Sequence, residues 1–151
     1  MRSGVLKIYK NTGAAQFSLI PPQRDEQRGF VQKDGAVLVE VAPCDGKDAN
    51  GNIKAFWDQK LKFAISIADI ASLMDRANPK AGRLYHKFQG NSKSLQFVPG
   101  TGQYEGTYML RVEQGSGDTR QQVAVPLTNG EYELIMRLII GCAAPKLIGW
   151  D

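Results

Sequence analysis

Between Asp75 and Glu105 the chain carries no acidic residue, while Arg76, Lys80, Arg83, Lys87 and Lys93 all fall inside that stretch. Tyr85, His86, Phe88, Phe97 and Tyr104 are interleaved with them. Cations alternating with flat rings are what a single-stranded nucleic acid requires, the cations for its phosphates and the rings for its bases. The same residues also suit solvated strand faces over ordinary core aromatics, and the stretch alone leaves both readings open. A formal charge of +4 permits an anionic partner without demanding one.

Catalytic chemistry finds less support. His86 is the single histidine. Alternation with Leu84 and Phe88 puts it on an apolar face, where a core or interface role is expected. No Cys-x-x-Cys or His-x-x-x-His spacing offers a metal site. Gly-x-Ser-x-Gly, Walker and dinucleotide fingerprints are missing too. GTGQYEG at 100–106 is glycine-rich but lies between strand candidates, where a hairpin turn accounts for it. Asp25 and Glu26 are adjacent in a loop by composition, the place of solvated carboxylates. The expectation is a non-enzyme with no cofactor, no metal and no small-molecule substrate.

The elements that must position the cations and rings follow from periodicity. VLKIYK alternates, with Leu6 and Ile8 on one face and Lys7 and Tyr9 on the other. AAQFSLI puts Ala15, Phe17 and Leu19 on one face, and Pro21-Pro22 closes it. GAVLVEVAP at 35–43 is nearly continuously apolar, which suits a strand covered on both sides. DGKDANGN at 45–52 reads as a loop, and KLKFAI as a strand with Lys60 and Lys62 outward. At SIADIASLM the period changes to that of a helix, opened by a Ser66/Asp69 capping box and stopped by Asn78-Pro79. RLYHKF, SLQFV, TYMLRVE and QQVAVPL are four further strands with turn chemistry between them.

A second helix opens with a Thr128/Glu131 capping box, stapled by Leu127 and Tyr132. Leu134, Ile135, Leu138, Ile139, Cys142 and Ala143 form its broad apolar stripe, and Met136 and Ile140 widen that stripe almost all the way round. A helix apolar on nearly every side must be buried on nearly every side, so a partner subunit is the expected supplier of the missing cover. Pro145 predicts a kink or local break near Gly141.

The order is thus four strands, a helix, four strands, a helix. Short connections argue for two antiparallel sheets in an α+β fold, with a helix-decorated β-sandwich as the alternative. The 151 residues suffice for one domain, taken as 1–151. No apolar run approaches the ~20 residues that span a bilayer. MRSGVLKIYKN carries no apolar signal core or Arg/Ser-rich presequence, so a cytoplasmic protein is expected, or an organellar one if a presequence has been removed. Cys44 and Cys142 read as free thiols.

The layout resembles the Whirly family of single-stranded-DNA-binding proteins in three places. Tyr9-Lys10 followed by Ala14-Ala15 is similar to the family's Lys-Gly-Lys-Ala-Ala strand opening. GAVLVEVAP, then Trp57 with Lys60, then KFAISIADIASLM is similar to its strand, Trp-x-x-Lys and helix entry. VPLTNGEYELIMRLIIGCAAPKLIGWD matches its Val-Pro start, glutamate at the helix head and Pro-x-Leu-Ile-Gly-Trp end. Two departures stand out. The family's second lysine falls here on or beside Gly13, and its Phe-Phe-His-Asp pattern reads Leu84-Tyr85-His86-Lys87, an acid become a base.

The resemblance implies two four-stranded antiparallel sheets packed crosswise with two helices (ββββα repeated), the helices at the centre of a homotetramer. Leu134, Leu138, Ile139, Cys142, Leu147 and Trp150 would then be interface residues. Single-stranded DNA would lie along sheet surfaces and the grooves between subunits with little sequence preference, in repair, recombination or transcription. Alternation then selects Tyr9, Phe30 and Trp57 as stacking surfaces, and Lys10, Lys60, Lys62, Lys87 and Lys93 as phosphate contacts. The alternatives are an RNA-binding or annealing protein of the same fold and an oligomeric structural protein that binds no nucleic acid.

Overall fold

The computed structural model describes residues 4–75 and 82–150. Arg76, Lys80 and the Asn78-Pro79 helix stop lie outside the described residues. Period-two alternation produces the strands β1 (Leu6–Tyr9), β2 (Gly13–Ile20), β5 (Ala36–Lys47) and β7 (Leu61–Ile65) in the first half. It produces β8 (Arg83–Phe88), β9 (Asn91–Pro99), β10 (Tyr108–Ser116) and β11 (Thr119–Leu127) in the second. Every expected strand is present. Three short ones were not foreseen: β3 (Gln23–Arg24) and β4 (Val31–Lys33), which form a hairpin, and β6 (Ile53–Ala55).

Both additions arise where composition predicts a loop. The Asp48 side chain accepts the N–H groups of Asn50 and Asn52, tightening 48–52 into a turn that lets β5 run on to Lys47 and fold back as β6. Asp25 likewise accepts from Gln27 and Arg28 N–H, and is therefore a turn former rather than a merely solvated acid. A side-chain bond of this kind replaces a ladder bond only locally, which is why hydrophobic alternation does not report it.

All strand pairs are antiparallel. The first sheet runs β1-β2-β5, and beyond β5 the next position is shared by β7 along its first half and β6 along its end. The second sheet is the meander β8-β9-β10-β11. The apolar faces of both meet in one core that includes Phe17, Val39, Phe63, Leu95, Leu110 and Val125. β11 lies across β2 and β5, while β7 lies across β9 and β10. The sheets approach closely at Gly13, where a Cβ would sit 2.5 Å from the Ala124 carbonyl oxygen. No lysine fits there, so the family's second lysine has no counterpart at this position.

α1 (Ile67–Met74) and α2 (Asn129–Met136) both begin with the expected reciprocal capping boxes, Ser66 with Asp69 and Thr128 with Glu131. Beyond α2 the helix does not simply kink at Gly141. It widens into a π-helical segment, Arg137–Ala143, before α3 (Ala144–Leu147). Pro145 has no N–H to give the carbonyl four residues back, and its ring crowds that carbonyl. The turn opens instead, and Ala144 N–H reaches the Ile139 carbonyl in a five-residue step.

Part of this rod's apolar surface is covered within the subunit. Ile135, Ile139 and Leu147 are buried in the subunit's own core. The tail is also tied down internally. Gly35 N–H donates to the Leu147 carbonyl (2.9 Å), and Arg24 Nη2 donates to the Gly149 carbonyl (2.7 Å). Gly149, at φ 83°, and Trp150 complete the helix end, their N–H groups bonding the Lys146 and Pro145 carbonyls.

Candidate nucleic-acid interface

The face of the first sheet turned away from the core carries Tyr9, Lys60 and Lys62, with Trp57 beside them. Cross-strand register aligns Lys7, Gln16, Glu40 and Lys62 in one row, and Tyr9, Ala14 and Ala42 in the next. Trp57, held on a single 3-10 turn just before β7, meets Tyr9 edge to face with ring centroids 6.3 Å apart. Tyr9 is 41% exposed, so the pair presents ring surface to solvent. Lys54 lies over the Phe56 ring at 5.5 Å beside them, a cation and ring that alternation did not single out.

Two of the expected phosphate contacts are already engaged. Lys10 Nζ lies 2.7 Å from Glu131 Oε1, the capping-box carboxylate, and Lys60 Nζ lies 2.7 Å from Glu40 Oε2. Gln16 Nε2 donates to the other Glu40 oxygen at 2.9 Å. The bond from Lys60 holds the Glu40 carboxyl below its ordinary value, although burial pushes the other way. Burial likewise pushes Glu131 up, but Lys10 and the Thr128 N–H outweigh it and leave that carboxyl lowered. Among the described residues, Lys62 has no carboxylate in salt-bridge range.

The outer face of the second sheet is the more openly cationic. Its rows read Arg83, Gln96, Arg111; Tyr85, Ser94, Glu113, Gln122; and Lys87, Ser92, Gly115, Arg120. Tyr85 stands 58% exposed between the cations, above a cleft of about 90 Å³ lined by Arg83, Ser92, Ser94, Glu113 and Arg120. Arg111 Nε is buried without a partner among the described residues. Arg111 and Arg120 lie outside the residues that alternation singles out above, yet Arg111 alternates outward between Leu110 and Val112 and is legible on that ground. Lys93 pairs with His86 across β8 and β9 and so lies on the opposite face from Lys87. Phe30, 48% exposed, belongs to the β3–β4 hairpin and not to either face.

His86 is neither a core residue nor free. Its Nε2 lies 2.8 Å from Asp69 Oδ2, the atom that also accepts the Ser66 N–H, and its ring stacks on Phe63 at 4.3 Å. It therefore clasps the N-terminus of α1 to both sheets. Among the described residues no group of three or more His, Cys, Asp or Glu is placed to hold a metal ion. Cys44 and Cys142 are free thiols, the former pushed up in pKa by burial.

Of the expected interface residues, Leu134, Leu138, Cys142 and Trp150 remain exposed. Beside them opens an apolar groove of about 1160 Å³ between β1, β2 and the π-helical segment, lined by Val5, Leu6, Phe17, Leu19, Leu138 and Cys142 among others.

A family model described as the Whirly transcription factor matches residues 8–138. Among curated proteins, the chain is similar to the mitochondrial single-stranded DNA-binding protein WHY2 of Arabidopsis thaliana, with 25% identity over 157 residues. That match takes in 95% of this chain and 62% of the relative, so the chain spans under two thirds of that protein's length. Among solved structures, WHY1 of Arabidopsis thaliana has a TM-score of 0.80 at 21% identity, over 99% of this chain and 88% of that one. The plant transcriptional regulator PBF-2 has a TM-score of 0.78 at 18% identity, over 99% and 85%. At these identities the structural likeness shows the fold, an α+β arrangement of antiparallel sheets with helices. A transcription factor is a nucleic-acid-binding regulator and not an enzyme.

Proposed function

The chain belongs to the Whirly family, and from that premise we propose that it binds single-stranded DNA with little sequence preference, in repair, recombination or transcription. The observation that carries the reading is that each outward sheet face presents exposed ring among cations: Tyr9, edge to face with the half-buried Trp57, beside Lys62, and Tyr85 with Arg83, Lys87 and Arg120. Rings stack on any base and cations follow the backbone, so such a face grips a strand without reading it. The duplex hides its bases from a flat face, which favours unpaired strands. The core shared by both sheets supports treating residues 1–151 as one binding domain.

Assembly belongs to the same proposal. The exposed stripe Leu134, Leu138 and Cys142, continuous with the apolar groove, suits a homo-oligomer, which we take to be a tetramer. The Arabidopsis relative is mitochondrial, so an organelle stands beside the cytoplasm as the compartment to examine.

The test is a fluorescence-anisotropy titration with an oligodeoxynucleotide of ~30 bases, competed by duplex DNA and by matched RNA. Expected are a log–log salt slope of several units and preference for the single strand over duplex. Equal affinity for duplex would overturn the reading, and tighter binding of the matched RNA would move it to an RNA-binding protein of this fold.

A further inference from the structure

We propose that Glu40 competes with the nucleic-acid phosphate for the Lys60 ammonium, keeping the face of the first sheet partly neutralised until a strand displaces the pair. The inference rests on the single-strand-binding reading and names a regulating residue within that face.

Glu40 occupies an unusual place for an acid. It sits mid-strand in β5, flanked by Gln16 of β2 and Lys62 of β7, on the face turned away from the core and within the surface that bears Tyr9. Only 8% of it is exposed. Both carboxylate oxygens are engaged, one by Gln16 at 2.9 Å and the other by Lys60 at 2.7 Å. Its side chain is 11% exposed and that of Lys60 35%, so the acid is fixed and the base is the movable half. An ammonium on a flexible four-carbon stem can exchange one oxygen partner for another at little geometric cost. When a phosphate takes it, Gln16 and the nearby Lys62 charge still hold the carboxylate.

The consequence is electrostatic. A lysine already matched to a carboxylate releases less bound counterion when it meets a phosphate, so it adds little to affinity or to salt dependence. Glu131 holds Lys10 in a similar way, but it also caps α2, so its removal would mix binding with folding. Glu40 caps no helix. Among the described residues, Arg83, Lys87 and Arg120 on the other sheet have no such acid in salt-bridge range.

Glu40→Gln keeps the shape and the Gln16 contact and removes the charge. The experiment measures binding of a fluorescent oligothymidylate of ~30 nucleotides to wild type, E40Q, K60Q and the double variant E40Q/K60Q across salt. E40Q is expected to bind several-fold tighter at low salt, with a log–log slope steeper by about 0.7, the increment for one added phosphate contact on a single strand. Removing Lys60 from the E40Q background should abolish that increment. A melting temperature for each variant separates folding from binding. Wild type that binds while E40Q shows an unchanged or shallower slope overturns the role given to Glu40. So does a steeper slope that survives the loss of Lys60. Wild type that fails to bind at low salt overturns the underlying reading instead.

Discussion

Tyr9 and Trp57 brace each other edge to face, so the loss of either should cost more than its own ring area. Base stacking on an exposed ring contributes about 1–3 kcal/mol. Tyr9→Ala and Trp57→Ala are each expected to weaken oligothymidylate binding by that amount with the fold retained, as read by anisotropy alongside circular dichroism. Tyr85→Ala tests the opposite sheet in the same assay. Acid should act on Glu40 and Glu131, whose carboxyls are held below the ordinary glutamate value of about 4.3. Each binds its proton more weakly folded than unfolded, so their stabilisation is full above about 4.3 and is lost as pH falls through the lowered folded values. Melting temperature below that pH is therefore expected to fall more steeply for wild type than for E40Q or E131Q. Alternation in KLKFAI was enough to turn Lys60 outward, but not to reveal that Glu40 holds it. Strand period assigns a face, whereas ion pairs depend on which strands become neighbours.

At the scale of elements, the local signals with a physical mechanism were legible and the conditional ones were not. Both capping boxes form as read, and Thr128→Ala should lower stability by ~1 kcal/mol in thermal unfolding. The π-helical segment could be placed at Pro145 but not typed, because a missing N–H can be met by a kink or by a wider turn. The β3–β4 hairpin escaped notice because its strands are two and three residues long and mostly polar. That hairpin gives a sharp test. A Cβ on Gly149 would run into Val31 Cγ2, and the residue has φ 83°. Gly149→Ala should therefore cost about 1–3 kcal/mol in chemical denaturation and loosen the tail.

The whole molecule is a two-layer body whose apolar faces meet, so its polar faces point away from each other. The eight main strands and their order were legible from periodicity, while the crosswise packing came from the family resemblance. The last helix was legible as unusually apolar, but not how its faces divide. Ile135 and Ile139 serve the subunit itself, and Leu134 and Leu138 remain outside. Leu134→Glu together with Leu138→Glu should lower the mass measured by light scattering while leaving the melting of the single subunit intact. An unchanged mass would remove this stripe from any interface. The back-to-back arrangement of the two faces has a mechanical corollary. A continuous polymer touching both must turn a corner around the rim of the protein, and its two ends draw together as it does. Dyes on the two termini of one long oligomer would then report shortening as protein is added, a compaction produced by shape alone.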